Sequence, residues 1–444
     1  MWKLLKKAEE LGATFADVRK KRTEVIEFLS TEDRDEVRSN GIDEGYSLRV
    51  LYKKNWGYYS SPELLTDDVN KAISSSYGDE KVNIVYLPSK KDKVVLKPKK
   101  YVEMSVEEKL KTIRSIKNEI LSEVKAKNVS VIYTEARIHD QYLSTEDRDL
   151  EVEYLTSGII FMAGIQEGDK RASAFVSKFS MSDFVLEQDY HELISILKRR
   201  IESQLKGIVP KGGEYSVILA PEVTGVFAHE AVGHLAEADV GISGILSKLR
   251  GKKIAPDNVS VVDSPLPKEG SVGFVPYDDD GVEGRDAYII QKGVVKEMLT
   301  DRYYSAYLGQ RPTGNARAED YRNPILVRMR NTFIEPGDLT LEEMLQQVKE
   351  GFLFTSVVGG ETSPDGTFQF GIQEGYRIER GEIKEPLRNT GISGFTIETL
   401  SRVKMISKNF EMITGFCGKG TQNVPVGTGG PYILVDKMKV GGSA

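Results

Sequence analysis

The chain has 444 residues, a length that favours two domains because a single hydrophobic core rarely grows that large. Its net charge of -6 is spread along the sequence, which argues against a nucleic-acid partner. The one cysteine cannot form an internal disulfide, and no apolar run approaches the roughly 20 residues that a membrane helix needs. We therefore expect a cytoplasmic protein with neither a nucleic-acid nor a membrane partner.

The N-terminal half contains an internal repeat. The heptapeptide LSTEDRD occurs at 29–35 and again at 143–149. Each copy lies among the same order of predicted elements, a helix, several antiparallel strands and a second helix. We place the two copies at about 1–77 and 105–206, within an N-terminal α+β domain of residues 1–208.

In the first copy, apolar residues at helical spacing predict an amphipathic helix over 2–11 rather than a signal peptide. Strands follow over 18–37 and 45–61, and a helix over about 62–76. A lysine-rich connector, PSKKDKVVLKPKK (88–100), separates the copies. In the second copy a helix over 105–125 opens with the capping box of Ser105 and Glu108. Strands run from 129 to 179, and the closing helix begins at the predicted cap Ser182.

Pro/Gly punctuation at 208–213 marks the predicted domain boundary. Residues 209–444 contain many short strand patterns with frequent glycine, which predicts a mostly antiparallel β domain. Only three helices are predicted in this domain, at about 222–238, 300–308 and 341–350. The acidic segment DDDG (278–281) lacks the spacing of a calcium loop and is interpreted as a polar turn.

The segment FAHEAVGH contains two of the four histidines, His229 and His234, with Glu230 after the first. Residues five apart on an α-helix differ by about 140° in direction, so a regular helix would separate the two imidazoles. A π-bulge adds about one residue per turn and would return them to one side. Gly233 would lower the steric cost of that distortion. The spacing is thus compatible with a shared metal, although ordinary surface or core histidines fit it equally well.

A catalytic zinc site has three protein ligands and one open position, and a neighbouring carboxylate such as Glu230 can take a proton from water. The residue types leave several candidates for the third ligand: His139, His191, Cys417 and the acids Glu237 and Asp239. Structural or solvent-facing roles are favoured for His139 and His191. The two acids could orient an imidazole or simply lie solvated at a helix end. Cys417 stands in a glycine-rich segment interpreted as a loop that presents its thiol.

Several motifs in order make the chain resemble the TldD/PmbA family of metalloproteases, on the TldD side. They are HEAVGH (229–234), PTGNAR (312–317), RNTFIEPG (330–337), IERGEI (378–383) and GFCGKGTQNVPVGTGGP (415–431). The resemblance covers nearly the whole chain. It implies a zinc-dependent peptidase for unstructured peptides, with one Zn²⁺ held by His229, His234 and Cys417 and with Glu230 as general base.

The resemblance also implies a dimer, either of this chain or with a PmbA/TldE-like relative. An extended peptide would bind by adding a strand to an exposed sheet edge, which predicts broad specificity.

Two alternatives remain open. One is a non-catalytic or regulatory partner subunit of such a protease, and the other is a modulator of toxins or topoisomerases, which the older gyrase-modulator name of the family favours.

Overall fold

The structure, a computed structural model, describes residues 1–78, 81–98, 104–181, 185–187 and 189–442. Two large sheets of mainly antiparallel strands carry helices on their faces, which confirms the predicted α+β class. The first sheet contains β1 Phe15–Thr31, β2 Asp35–Tyr52, β3 Asn55–Ser61, β4 Lys90–Leu96, β5 Asn128–Ser144, β6 Arg148–Glu167 and β7 Lys170–Ser180. Its helices are α1 Trp2–Glu10, α2 Asp68–Ser74, α3 Val106–Val124 and α4 His191–Lys206, with a 3-10 turn at Val185–Glu187.

The second sheet is formed by β8 Gly213–Leu219, β9 Val261–Ser264, β10 Ala287–Gln291, β11 Val294–Val295, β14 Asn331–Ile334, β15 Glu350–Thr362, β16 Thr367–Glu379, β17 Glu382–Pro386, β18 Thr390–Phe395, β19 Val403–Lys419 and β20 Gln422–Gly442. A separate pair joins β12 Ala316–Arg317 to β13 Leu326–Val327. The helices of this half are α5 Pro221–Val226, π1 Phe227–Gly233, α6 His234–Ala236, α7 Ala238–Gly241, α8 Ile245–Lys248, α9 Arg302–Leu308, α10 Leu341–Gln346 and α11 Thr396–Ser401.

The internal repeat is visible in the first sheet. The two LSTEDRD copies form the equivalent hairpin turns between β1 and β2 and between β5 and β6. The copies meet where β1 pairs antiparallel with β5, so the sheet runs continuously through both. Each copy has the predicted order of helix, antiparallel strands and helix. The capping box of Ser105 and Glu108 is present at the start of α3.

Three expectations about this half either need correction or lie outside the described residues. The lysine-rich connector contains β4, which pairs parallel with β6 because it returns to the sheet after α2 rather than through a short turn. The predicted cap Ser182 lies outside the described residues, and the helix that is described begins at His191. The helix predicted over 62–76 is confined to α2, since Pro62 and the residues after it form turns.

The second sheet is mostly antiparallel, as predicted, with parallel pairings of β8 to β15 and of β14 to β20. β8, β15, β16, β18 and β20 pair in a closed circuit. The consecutive segments α5, π1 and α6 are called the histidine helix (221–236), and its first two segments pack on β20. Its approach to the sheet is close, because a Cβ on Gly225 would lie only 2.5 Å from the backbone nitrogen of Gly429.

The glycine-rich segment around Cys417 is not a loop, so that interpretation was wrong. Residues 415–419 belong to β19 and residues 422–431 to β20, and the two strands form a hairpin in which Cys417 pairs with Val424. The side chain of Cys417 is buried, not presented at the surface. Close packing explains three of the glycines in this segment, because a Cβ on Gly427, Gly429 or Gly430 would lie 2.0–2.6 Å from a neighbouring side chain. No helix in the described part of the chain is long and apolar enough to cross a membrane.

Candidate metal centre

The histidine helix contains the predicted π-turn. Residues Phe227–Gly233 adopt π-helical geometry between two α-helical segments. The wider turn returns His234 to the side of the helix that carries His229, and their ring centroids are 5.1 Å apart with an interplanar angle of 81°. The π-turn that the five-residue spacing requires, if the two histidines are to share a side, is therefore present.

The reason given for Gly233 was wrong. Its φ of -60° and ψ of -51° are ordinary helical values, so it does not relieve backbone strain. A Cβ at this position would lie 1.9 Å from the Sδ atom of Met329. Glycine is required here because the buried side chain of Met329 packs directly against the helix.

The structure brings three ligand types together across the chain. One nitrogen of His229, one of His234 and the Sγ of Cys417 all lie within 4.8 Å of one another. The Sγ atom is 3.6 Å from Nε2 of His234. His229 and Cys417 are buried, and the Nδ1 of His229 has no hydrogen-bond partner among the described residues. A two-nitrogen, one-sulfur set of this kind fits a borderline-soft divalent ion such as zinc.

The charges of this group favour the thiolate form. Burial alone would raise the pKa of the Cys417 thiol, but contacts with the imidazoles of His229 and His234 lower it to about 5. Burial opposes the charged form of His234, yet hydrogen bonds with Cys417 and Glu237 hold its pKa well above the usual value. The thiolate is the form of cysteine that binds metals.

Glu230 lies beside this group. Its Oε2 is 3.7 Å from Nε2 of His234, and its side chain is about a quarter exposed. Of the two acids considered earlier, Glu237 orients the imidazole: its Oε2 lies 3.0 Å from Nδ1 of His234, and its side chain is fully buried. This contact directs Nε2 of His234 toward Cys417.

The other candidate ligands lie elsewhere. His139 is in β5 and faces Glu151 and Glu153 at 3.8 Å, and His191 begins α4 beside Asp189. Sequence reasoning missed three residues at the site, Met329, Arg328 and Lys419. Met329 packs against Gly233, and Arg328 donates a hydrogen bond to the backbone carbonyl of Cys417. Lys419 donates one to Glu237. Only Lys419 had a local signal, since residues two apart on a strand share a face.

Two grooves meet at Glu230. One, of about 410 Å³, lies on the His229 side, and the other, of about 730 Å³, lies on the His234 side. Glu230, Gly360 and Phe416 line both, so they form one cleft. One wall is the end of β15, which pairs with β8 only through Gly351–Phe354. The opposite wall is β19, which within the described chain pairs only with β20.

Comparison with known proteins identifies the family. Residues 212–442 match the PmbA/TldA metallopeptidase C-terminal domain, and residues 16–78 match the PmbA/TldA metallopeptidase domain 1. A zinc metalloprotease TldD homolog of Saccharolobus solfataricus is 48% identical over 444 residues, covering 100% of both chains. A metalloprotease of Methanocaldococcus jannaschii is 33% identical and is matched over 96% of each chain. The chain therefore belongs to the PmbA/TldD family of metallopeptidases.

Solved structures share the fold at low sequence identity. A Thermotoga maritima protein described as a modulator of a DNA gyrase has a TM-score of 0.80 at 19% identity, covering 98% of each chain. TldE from Thermococcus kodakarensis has a TM-score of 0.75 at 20% identity, covering 100% of each chain. At this identity the likeness defines the architecture alone.

Proposed function

We propose that this protein is a zinc-dependent peptidase whose metal is held by His229, His234 and Cys417. The observation that carries the proposal is the convergence of these side chains within 4.8 Å, although Cys417 is far from the histidines in sequence. The naming of the 48% identical relative as a zinc metalloprotease supports the choice of metal. Bound zinc would act as a Lewis acid toward water and the peptide carbonyl.

Glu230 is the proposed general base. Its carboxylate lies beside the ligand group, contacts no lysine or arginine in the part of the chain that the structure describes, and faces the cleft where a peptide would lie. In this role an Oε atom accepts a proton from water and returns it to the nitrogen of the departing amine. Positioned proton transfer of this kind contributes about 10²–10⁴-fold to a rate.

The cleft supports an extended peptide as substrate. Beyond Phe354, β15 has one side that pairs with no described strand, and so does β19. Both sides can offer backbone groups to a chain laid between them, and backbone pairing does not depend on side-chain identity. A folded domain could not place its backbone between two strands in this way. We therefore propose unstructured peptides as the substrate class, with broad sequence tolerance.

The partner is proposed from the family alone. Membership of the PmbA/TldD family supports assembly either as a dimer of this chain or with a TldE-like relative. Light scattering of the purified chain, alone and after mixing with such a relative, distinguishes the two. A chain that stays monomeric in both experiments contradicts the proposal.

The test of the proposed activity uses Glu230→Gln, with Glu192→Gln on the exposed face of α4 as the matched control. We expect Glu230→Gln to keep one zinc per chain and to lose hydrolysis of an unstructured peptide by about 10²–10⁴-fold. The control should match wild type. Chelation should abolish hydrolysis in wild type, and added zinc should restore it. Full activity in Glu230→Gln would remove Glu230 from the role, and full activity without metal would reject the metallopeptidase.

A further inference from the structure

Lys419 occupies an unusual position next to the ligand group. It lies two residues after Cys417 in β19, so both side chains leave the same face of the strand toward the histidine helix. Its Nζ atom lies 2.6 Å from Asp239 Oδ1 and 3.1 Å from Glu237 Oε2. It also donates a hydrogen bond of 2.8 Å to the backbone carbonyl of Val327. The three donors of the ammonium group are thus fully used.

Through Glu237 this lysine contacts a metal ligand indirectly. The same Oε2 atom of Glu237 accepts a hydrogen bond from Nζ of Lys419 and lies 3.0 Å from Nδ1 of His234. Glu237 is fully buried, and its Oε1 has no hydrogen-bond partner among the described residues. A buried carboxylate needs a charged or hydrogen-bonding partner to remain in place. Within the described ranges, Lys419 and His234 are the basic side chains that contact Glu237.

The contacts of Lys419 also hold separate segments together. Asp239 follows the histidine helix in α7, Val327 lies in β13, and Asp239 Oδ2 accepts a hydrogen bond from the backbone nitrogen of Val327. Lys419 itself is the last residue of β19, at the tip of the hairpin, where it pairs with Gln422 across a turn of Gly420 and Thr421 with φ of 57° and 65°. Disorder concentrates at loop tips, so these contacts hold the tip of the hairpin against the histidine helix.

We propose that Lys419 is a positioning residue that fixes the strand carrying Cys417 against the helix carrying His234, and so sets the affinity of the site for its metal. The inference rests on the ligand set of the proposed function. Residues that orient metal ligands typically alter metal affinity by 10–100-fold when they are lost. Lys419 does this for two ligands at once, because it follows Cys417 in the strand and contacts His234 through Glu237.

The experiment compares Lys419→Met with wild type in the full-length protein. Lys404→Met is the matched control, since Lys404 lies in the same strand with a largely exposed side chain. Zinc dissociation constants are measured by competition with a chromophoric chelator. We expect a 10–100-fold rise for Lys419→Met and less than a twofold change for the control. Lys419→Arg, which keeps the charge, should recover part of the affinity.

Cobalt substitution provides a readout that general loss of stability does not imitate. At saturating cobalt, Lys419→Met should show a weaker sulfur-to-cobalt charge-transfer band than wild type, because the thiolate is less firmly held at the ion. Unchanged zinc affinity together with an unchanged band overturns the proposal. If Lys419→Met fails to fold, Asp239→Asn serves in its place, since it removes one carboxylate partner of Lys419 and leaves Glu237 intact, and the same two outcomes apply.

Failure of the inference is distinguishable from failure of the proposed function. If wild type binds zinc through Cys417, as judged by loss of affinity in Cys417→Ser, and Lys419→Met binds it equally well, only the role of Lys419 is rejected. If wild type and Cys417→Ser bind zinc with equal affinity, the ligand set itself is wrong and the inference is rejected with it.

Discussion

The contact between Gly233 and Met329 shows how one side chain limits the shape of the metal-site helix. Met329 is fully buried, so its side chain has little space into which it can move. Any side chain at position 233 must displace the sulfur or shift the helix that carries His229 and His234. The absence of a Cβ therefore serves packing rather than backbone freedom, and the ligand geometry depends on it.

Gly233→Ala should destabilise the protein by about 1–3 kcal/mol, the usual cost of adding a methyl group to a full core. Shortening the opposing side chain should relieve the clash. The double variant Gly233→Ala/Met329→Ala is thus expected to be more stable than the sum of the two single changes predicts. Denaturant unfolding of the four proteins measures this coupling.

Gly441→Ala is the control for that experiment, because an added Cβ there meets no atom within 4 Å. It should change the free energy of unfolding far less than Gly233→Ala. Simple additivity of the two single variants would show that the helix and Met329 adjust independently.

At the scale of elements, the π-turn could be predicted from the sequence, but the tertiary contact that stabilises it could not. The spacing of His229 and His234 requires an extra residue in the turn if they are to share a side, and this is a local property. The hydroxyl of Thr396 lies 2.9 Å from the backbone carbonyl of Ala231 within the π-turn and also 2.9 Å from that of Gly366. Such a contact joins residues distant in sequence, and no periodicity encodes it.

Thr396→Val tests that support. Valine keeps the shape of the fully buried side chain but cannot donate a hydrogen bond, so the variant should lose about 1 kcal/mol of stability, with a further effect on zinc affinity if the turn relaxes. Thr396→Ser keeps the hydroxyl and should preserve more of that affinity. Denaturant unfolding and chelator competition provide the two measurements. A valine variant equal to wild type in both would show that the π-turn holds its shape without this contact.

The hairpin of β19 and β20 shows where sequence reasoning failed at the same scale. Glycine and proline in 415–431 favour a loop on local grounds. The strands form nevertheless, because β20 pairs with β19 on one side and with β14, β8 and β18 in turn on the other. Cys417 was assigned to the site from the family motif, since its closeness to the histidines in space depends on this pairing, which local sequence does not reveal.

For the whole molecule, the acidic segment DDDG connects the two sheets. Interpreting it as a polar turn missed its burial: Asp278 and Asp280 are almost fully buried. Asp280 forms an ion pair with Arg49 of β2 at 2.5 Å, and Asp279 forms one with Lys21 of β1 at 3.0 Å. Nothing in the segment itself indicates these basic partners, which come from a part of the chain more than two hundred residues earlier.

This concentration of carboxylates affects a nearby group, Asp301. Its Oδ1 caps α9 by accepting a hydrogen bond from the backbone nitrogen of Tyr304 at 2.7 Å. Burial, and next the negative charge of Asp280, raise the pKa of Asp301 to about 7. The folded state therefore binds more protons than the unfolded state between the unfolded pKa of about 3.9 and pH 7. Stability must fall as the pH rises through that window.

Asp301→Asn removes the titration while keeping a side-chain oxygen that can cap the helix. Near pH 4 and below, Asp301 is neutral in the folded protein, so the variant should match wild type there. Above pH 7 it should be more stable by up to a few kcal/mol, since each unit of pKa shift corresponds to about 1.4 kcal/mol. Unfolding free energies measured across this range give the comparison. A constant difference between the two proteins at every pH would show that the pKa of Asp301 is the same in the folded and unfolded states, and that the acidic segment does not raise it.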